Sequence, residues 1–160
     1  MKYSGSTIHC VMIVKKMIYV LNLGDSRSVL YREQNDDSFA IEISTDHLPT
    51  NKEERFRIYK HGGVVERLIV DKVKIGPFRI WDEAIENGPG LEVTRAIGDL
   101  DAQKLGIIME PEIQHFDLTS EDLFLVIASN GLWQILHSLQ VCYYVQKFLK
   151  RYKLNIKKSA

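Results

Sequence analysis

The sequence predicts an α+β fold, and three observations predict it. β-Branched runs crowd the first forty residues, a short capped helix follows, and an apolar stripe at helical spacing occupies the C-terminal part. In order, "IHCVMIV" (8–14) and "MIYVLNL" (17–23) read as strands separated by Lys15-Lys16. "LGDSR" turns the chain, "SVLYR" starts another strand, and the polar "EQNDDS" (33–38) reads as a hairpin tip before "FAIEIS". The start is thus an antiparallel meander. Asn51 to His61 is a short amphipathic helix: Asn51 caps it, Glu54 completes a capping box, and His61-Gly62-Gly63 supplies a left-handed stop.

Residues 64 to 112, with "IGPF", "ENGPG" and "MEPE", read as a long irregular segment, and such segments in compact domains tend to be functional. Two strands are expected near Ile113–Leu118 and Asp122–Ser129. A long helix follows, from about Leu132 to Tyr152, with Ile135, Leu139, Cys142, Val145, Leu149 and Tyr152 forming one apolar face.

With 160 residues, 45% hydrophobic and 26% charged, the chain suits one globular domain. No stretch has the roughly 20 apolar residues of a membrane span, and Met1-Lys2-Tyr3 opens into polar sequence, so the expected location is intracellular, cytoplasmic or nuclear. Cys10 and Cys142 lie in apolar segments with no second thiol nearby and read as buried free thiols. The five histidines show no zinc-ligand spacing. The formal net charge is zero, but residues 147–160 hold six of the 21 basic residues and none of the acidic ones, leaving 15 basic against 21 acidic before them. This basic tail reads as a solvated helix end, whose cations complement the helix dipole; no nucleic acid partner and no membrane span are expected, and the weaker alternative is that the tail contacts anionic lipid or nucleic acid.

The most informative stretch is "LFLVIASNGLWQIL" (123–136): a buried strand that delivers its last side chains into a polar loop, where Asn130 offers one weak neutral oxygen in place of a charged carboxylate. Together with "GSTIHCVMIV", "YVLNLGDSRSVLYR", "STDHLPTNKEERFRIYKHGGVV", "GPGLEVTRAIGD" and "IIMEPEI", it resembles, in order and spacing, the second half of the metal-dependent type 2C (PPM-type) serine/threonine protein phosphatases.

That resemblance implies a partial α-β-β-α sandwich, two antiparallel sheets flanked by helices, over residues 4–146, with 147–160 as a tail. It also implies a centre in which two Mg or Mn ions activate a water for in-line attack on a phosphoserine or phosphothreonine. The family's early acidic pair, its phosphate-binding arginine and its Asp-Gly-His-Gly segment belong to a first half without counterpart here, and its late Asp-Asn pair has no match. By the resemblance, Asn130 stands where the family has the metal-binding aspartate of a Ser-Asp-Gly turn. Gln134 stands where a Trp-Asp pair places a carboxylate near an accessory metal. Asp25 matches an aspartate that binds that accessory metal in some members, and equally reads as a turn residue.

Thr94, Arg95 and Asp99 are read as loop scaffold, with Arg95 and Asp99 as a candidate local ion pair, and Trp81 and Trp133 as anchors. No catalytic residue is assigned within the chain. The expectation is a phosphatase-like domain that is catalytically incomplete, with Mg or Mn as the family's ions and only part of their ligand set in this chain. The alternative is a pseudophosphatase that binds or regulates a phosphoprotein partner through the loop around Gly76–Gly90. Uncovered strand edges suggest self-association.

Overall fold

In a computed structural model, the protein is described over residues 4–82 and 90–152. Its strands are β1 (Gly5–Ser6), β2 (Ile8–Val14), β3 (Met17–Leu23), β4 (Arg27–Gln34), β5 (Asp37–Glu42), β6 (Gly63–Val70), β7 (Val73–Asp82), β8 (Ile97–Gly98), β9 (Glu112–Asp117) and β10 (Asp122–Ala128). Its helices are α1 (Lys52–Lys60), α2 (Leu100–Gln103), α3 (Asn130–Trp133) and α4 (Ser138–Arg151). The expected α+β class with antiparallel sheets is the observed one. The chain divides into two compact units, the first made of Met1–Ile8, Leu23–Asp25 and Asp46–Glu112 and the second of the remainder.

The second unit is built on two three-stranded sheets, ordered β2-β3-β9 and β10-β4-β5. Side chains alternate along a strand, and β4 is apolar at consecutive positions, so it is buried on both faces. Leu30 joins Ile18 and Val20 of β3, with Val11, Phe116 and Leu125 packed around them, in a core between the sheets. Val29 and Tyr31 point the other way, onto Trp133, Val141 and Cys142. The Tyr31 ring stacks on Phe124 of the neighbouring strand, with centroids 4.6 Å apart. β4 and β5 turn over Asn35-Asp36, both at positive φ, so the hairpin tip is tighter than the polar run "EQNDDS" suggests.

The final helix is not continuous. After α3 the chain breaks over Gln134–His137, and α4 restarts where Gln140 Oε1 accepts the His137 N–H at 3.0 Å. The break rotates the apolar face: Val141 and Cys142 are buried, whereas Ile135 is 78%, Leu139 55% and Tyr152 57% exposed, so these three leave the expected stripe. Cys10 is likewise exposed, because it falls on the outward side of β2; Cys142 alone is the expected buried thiol.

In the first unit, α1 lies on a hairpin of β6 and β7, around a core of Ile58, Val65, Ile80, Ala96 and Ile107. The irregular segment expected over 64–112 is therefore corrected: residues 63–82 form two long strands joined at Asp71-Lys72. The "IGPF" that reads as a turn is a bulge in β7, where the register shifts opposite Arg67/Leu68 and Gly76 adopts positive φ. Residues 76–82 of the expected regulatory loop are thus strand, and 83–89 lie outside the described residues. Helix α1 has the expected ends, and Gly62 is left-handed. The capping box does not form: Asn51 donates its side-chain amide to Asp46 O at 2.7 Å, and Glu54 turns inward. None of the described helices is long and apolar enough to cross a membrane.

Candidate functional site

The turn that carries Asp25 is set by its neighbours. Gly24 takes positive φ, and a Cβ there would collide with the Thr7 side chain, so this position needs glycine. His47 then clasps the turn in both directions: its backbone N–H donates to Gly24 O at 2.8 Å, and its Nδ1 accepts the Gly24 N–H at 3.0 Å. With Nδ1 accepting, the ring proton sits on Nε2 and faces Glu112 Oε2 at 3.4 Å. His47 is buried, and burial, reinforced by the Arg95 cation, holds its pKa below the ordinary imidazole value. Asp25 is itself buried at 7% exposure.

A second arrangement, absent from the sequence reading, surrounds Glu54. Glu54 is 4% exposed, and its carboxylate accepts from Arg57 Nη1 at 3.0 Å, from Arg95 Nη2 at 2.7 Å and from the Thr94 hydroxyl. Burial, the largest influence, pushes the carboxyl pKa up, but the hydrogen bonds from Arg57, Arg95 and Thr94 outweigh it and bring it to about 2. Arg57 also reaches Gly106 O at 2.8 Å and Thr94 O at 3.0 Å, and Arg95 reaches Glu110 O at 3.0 Å. One carboxylate thus ties α1 to the "TRAIGD" segment. The candidate Arg95–Asp99 ion pair is replaced by Arg95–Glu54, while Asp99 adopts left-handed backbone before α2. The signal available in the sequence was the i, i+3 spacing of Glu54 and Arg57.

Asn130 and Gln134 lie in the second unit, at the two ends of α3. Asn130 opens the helix directly after β10, and its backbone carbonyl accepts the Gln134 N–H at 2.8 Å, so the two residues sit one turn apart. Asn130 is half-buried and Gln134 exposed. Trp133 anchors the turn: it is buried, donates Nε1–H to Ala128 O at 2.8 Å, and carries the Arg27 guanidinium 5.5 Å from its ring. Trp81, in β7, donates to Glu66 O at 3.1 Å. Both tryptophans are anchors.

Among the described residues no group of three or more His, Cys, Asp or Glu side chains could hold a metal ion. Positions 130 and 134 offer neutral amide oxygens, and hard divalent ions favour carboxylates. This donor set does not fit a magnesium or manganese centre by itself.

The family profile described as "Protein phosphatase 2C" matches residues 1–159. The chain is 36% identical over 141 residues to "Probable protein phosphatase 2C 12" of Oryza sativa subsp. japonica, an alignment covering 87% of this chain and 35% of that protein. It is 37% identical over 133 residues to the "Integrin-linked kinase-associated serine/threonine phosphatase 2C" of Mus musculus, covering 82% of this chain and 30% of that protein. Among solved structures, a serine-threonine phosphatase 2C from Toxoplasma gondii superposes with a TM-score of 0.76 at 26% identity, over 89% of this chain and 46% of that one. A C. elegans sex determining protein shares the fold, with a TM-score of 0.71 at 23% identity, over 90% of this chain and 31% of that one. The chain spans about a third of the length of the curated relatives it matches.

Proposed function

The chain belongs to the protein phosphatase 2C family, and from that premise we propose that it carries the later part of a phosphatase-like domain without catalysing hydrolysis itself. The observation that supports this reading is the α3 turn: an anchored Trp133 scaffold presenting Asn130 and Gln134 where the resemblance places metal-binding carboxylates. Each amide removes one negative charge from a position meant to attract divalent cations, and about 1.4 kcal/mol lost is already tenfold in affinity. Asp25 keeps its carboxylate at the accessory position.

The test is calorimetry with manganese on the protein and on Asn130→Asp/Gln134→Asp, beside an assay on a phosphoserine peptide. Restoring the two carboxylates is expected to tighten manganese binding at least about tenfold per restored ligand. Turnover by the unsubstituted protein that a chelator abolishes, and that Asp25→Ala also abolishes, would overturn the reading.

A second reading, a pseudophosphatase that binds a phosphoprotein or regulatory partner, is supported by the intact Glu54 clasp and His47 turn beside the neutralised ligand positions. The word "kinase-associated" in the name of the Mus musculus relative points the same way. Its signature is retention of a phosphopeptide without release of phosphate. Self-association belongs to the same proposal, because β2 is an edge strand with Met12 58% and Ile13 56% exposed; light scattering reads it.

A further inference from the structure

The β6–β7 hairpin carries a second surface, remote in sequence from the ligand positions. Residues directly opposite each other in a sheet share a face. The register therefore puts Val65 and Ile80, Arg67 and Phe78, and Ile69 and Lys74 on one face, with Glu66, Arg79, Leu68 and Ile75 on the other. Val65 and Ile80 are buried against the core. Farther out, that face becomes cationic and partly apolar.

The Arg67 guanidinium lies 5.1 Å from the Phe78 ring centroid. Arg55 of α1 approaches the same ring at 5.8 Å, held by its Nε–H to Pro49 O at 2.9 Å and by Nη2 to Thr50 O at 3.4 Å. Stacking on the ring orders two cations that would otherwise range freely.

The one hairpin carboxylate on this face among the described residues, Asp82 at its inner end opposite Gly63, pairs with Lys104 at 3.0 Å. Glu66 projects from the opposite side, across from Arg79, which pairs with Glu92, and Asp71 lies in the turn. Glu54 of α1 is committed to Arg57 and Arg95. Ile69, between the cations, is 54% exposed.

We propose that this face binds an acidic peptide segment of a protein partner. Carboxylates engage Arg67, Lys74 and Arg55, and intervening apolar side chains rest on Phe78 and Ile69. Three cations separated by an aromatic ring and an aliphatic side chain match the alternation of an acidic, apolar peptide. The continuous phosphate track of a nucleic acid calls for an unbroken basic groove, whereas Phe78 and Ile69 divide the cations here. The proposal is independent of whether the chain hydrolyses phosphate.

Fluorescence anisotropy with a short fluorescein-labelled Glu/Leu/Phe peptide tests it. The protein is expected to bind saturably and more weakly as salt rises. Arg67→Glu/Lys74→Glu is expected to weaken binding at least about tenfold, and Arg67→Gln and Phe78→Leu to give smaller losses with the circular dichroism spectrum unchanged. Lys147→Glu/Lys150→Glu, the same charge change on α4, should leave binding as it was. Binding that survives Arg67→Gln and the double reversal overturns the proposal. So does duplex DNA or a phosphatidylserine vesicle that binds at this face more tightly than the peptide at equal salt.

Discussion

Thr94 and Glu54, forty residues apart in sequence, meet in a buried hydrogen bond in which the threonine hydroxyl donates to a carboxylate already held by two arginines. The contact joins the first turn of α1 to the strand-like "TRAIGD" segment, so the local fold there depends on a charge that the core would otherwise reject. Its energetics can be read directly.

Glu54→Ala leaves Arg57 and Arg95 facing one another with no anion between them, and is expected to cost about 3 kcal/mol. Urea denaturation of both proteins at neutral pH measures it. The wild-type carboxyl is held at about 2, below its ordinary 4.5, so the unfolded state takes up the proton first. Stability from this group is complete above pH 4.5 and declines as pH falls toward 2. Glu54→Gln should flatten that part of the stability profile.

His47 has its folded pKa depressed below the ordinary 6.5, so the unfolded chain again binds the proton more readily. Its contribution is complete above pH 6.5 and diminishes as pH drops below that value. His47→Gln should remove the decline below pH 6.5 while lowering stability at neutral pH by about 2 kcal/mol, since the Gly24 N–H loses its acceptor. Thermal melts across this range check both signs.

The two thiols should differ sharply. Cys10 is exposed on β2, whereas Cys142 is buried and its thiol is pushed up to about 11 by burial. With a thiol-reactive chromogen at neutral pH, one equivalent reacting fast and a second only after denaturant is the expected result. Cys10→Ser should abolish the fast phase and leave the slow one.

Much of the fold was legible because a strand buried on one or both faces writes its own pattern: 17–23 is the strand β3, with Ile18, Val20 and Leu23 buried. The hairpin of β6 and β7 was missed for the opposite reason. Its outer half is apolar yet exposed, with Ile69 and Val73 more than half accessible, so no alternation marks a buried face, and Gly76-Pro77 imitates a turn while serving as a bulge. The helical stripe ran through Ile135 because periodicity does not register a break of a few residues; the restart at His137 depends on a side-chain contact from Gln140.

At the candidate site, the neutral character of positions 130 and 134 was visible in the residue types alone. The Glu54 clasp was not, since its four participants come from segments that only the tertiary fold brings together. Glu54 also satisfied a local rule, three residues after a good capping residue, and a local rule competes badly with two guanidinium groups.

The strand β4 is walled by α4 and Trp133 on one side and by the opposing sheet on the other. Solvent can therefore reach its backbone amides only when both layers separate together. In deuterated water the amides of Val29, Leu30 and Tyr31 would surrender their protons last, on the clock of whole-unit unfolding, and so would mark the second unit as a single cooperative block.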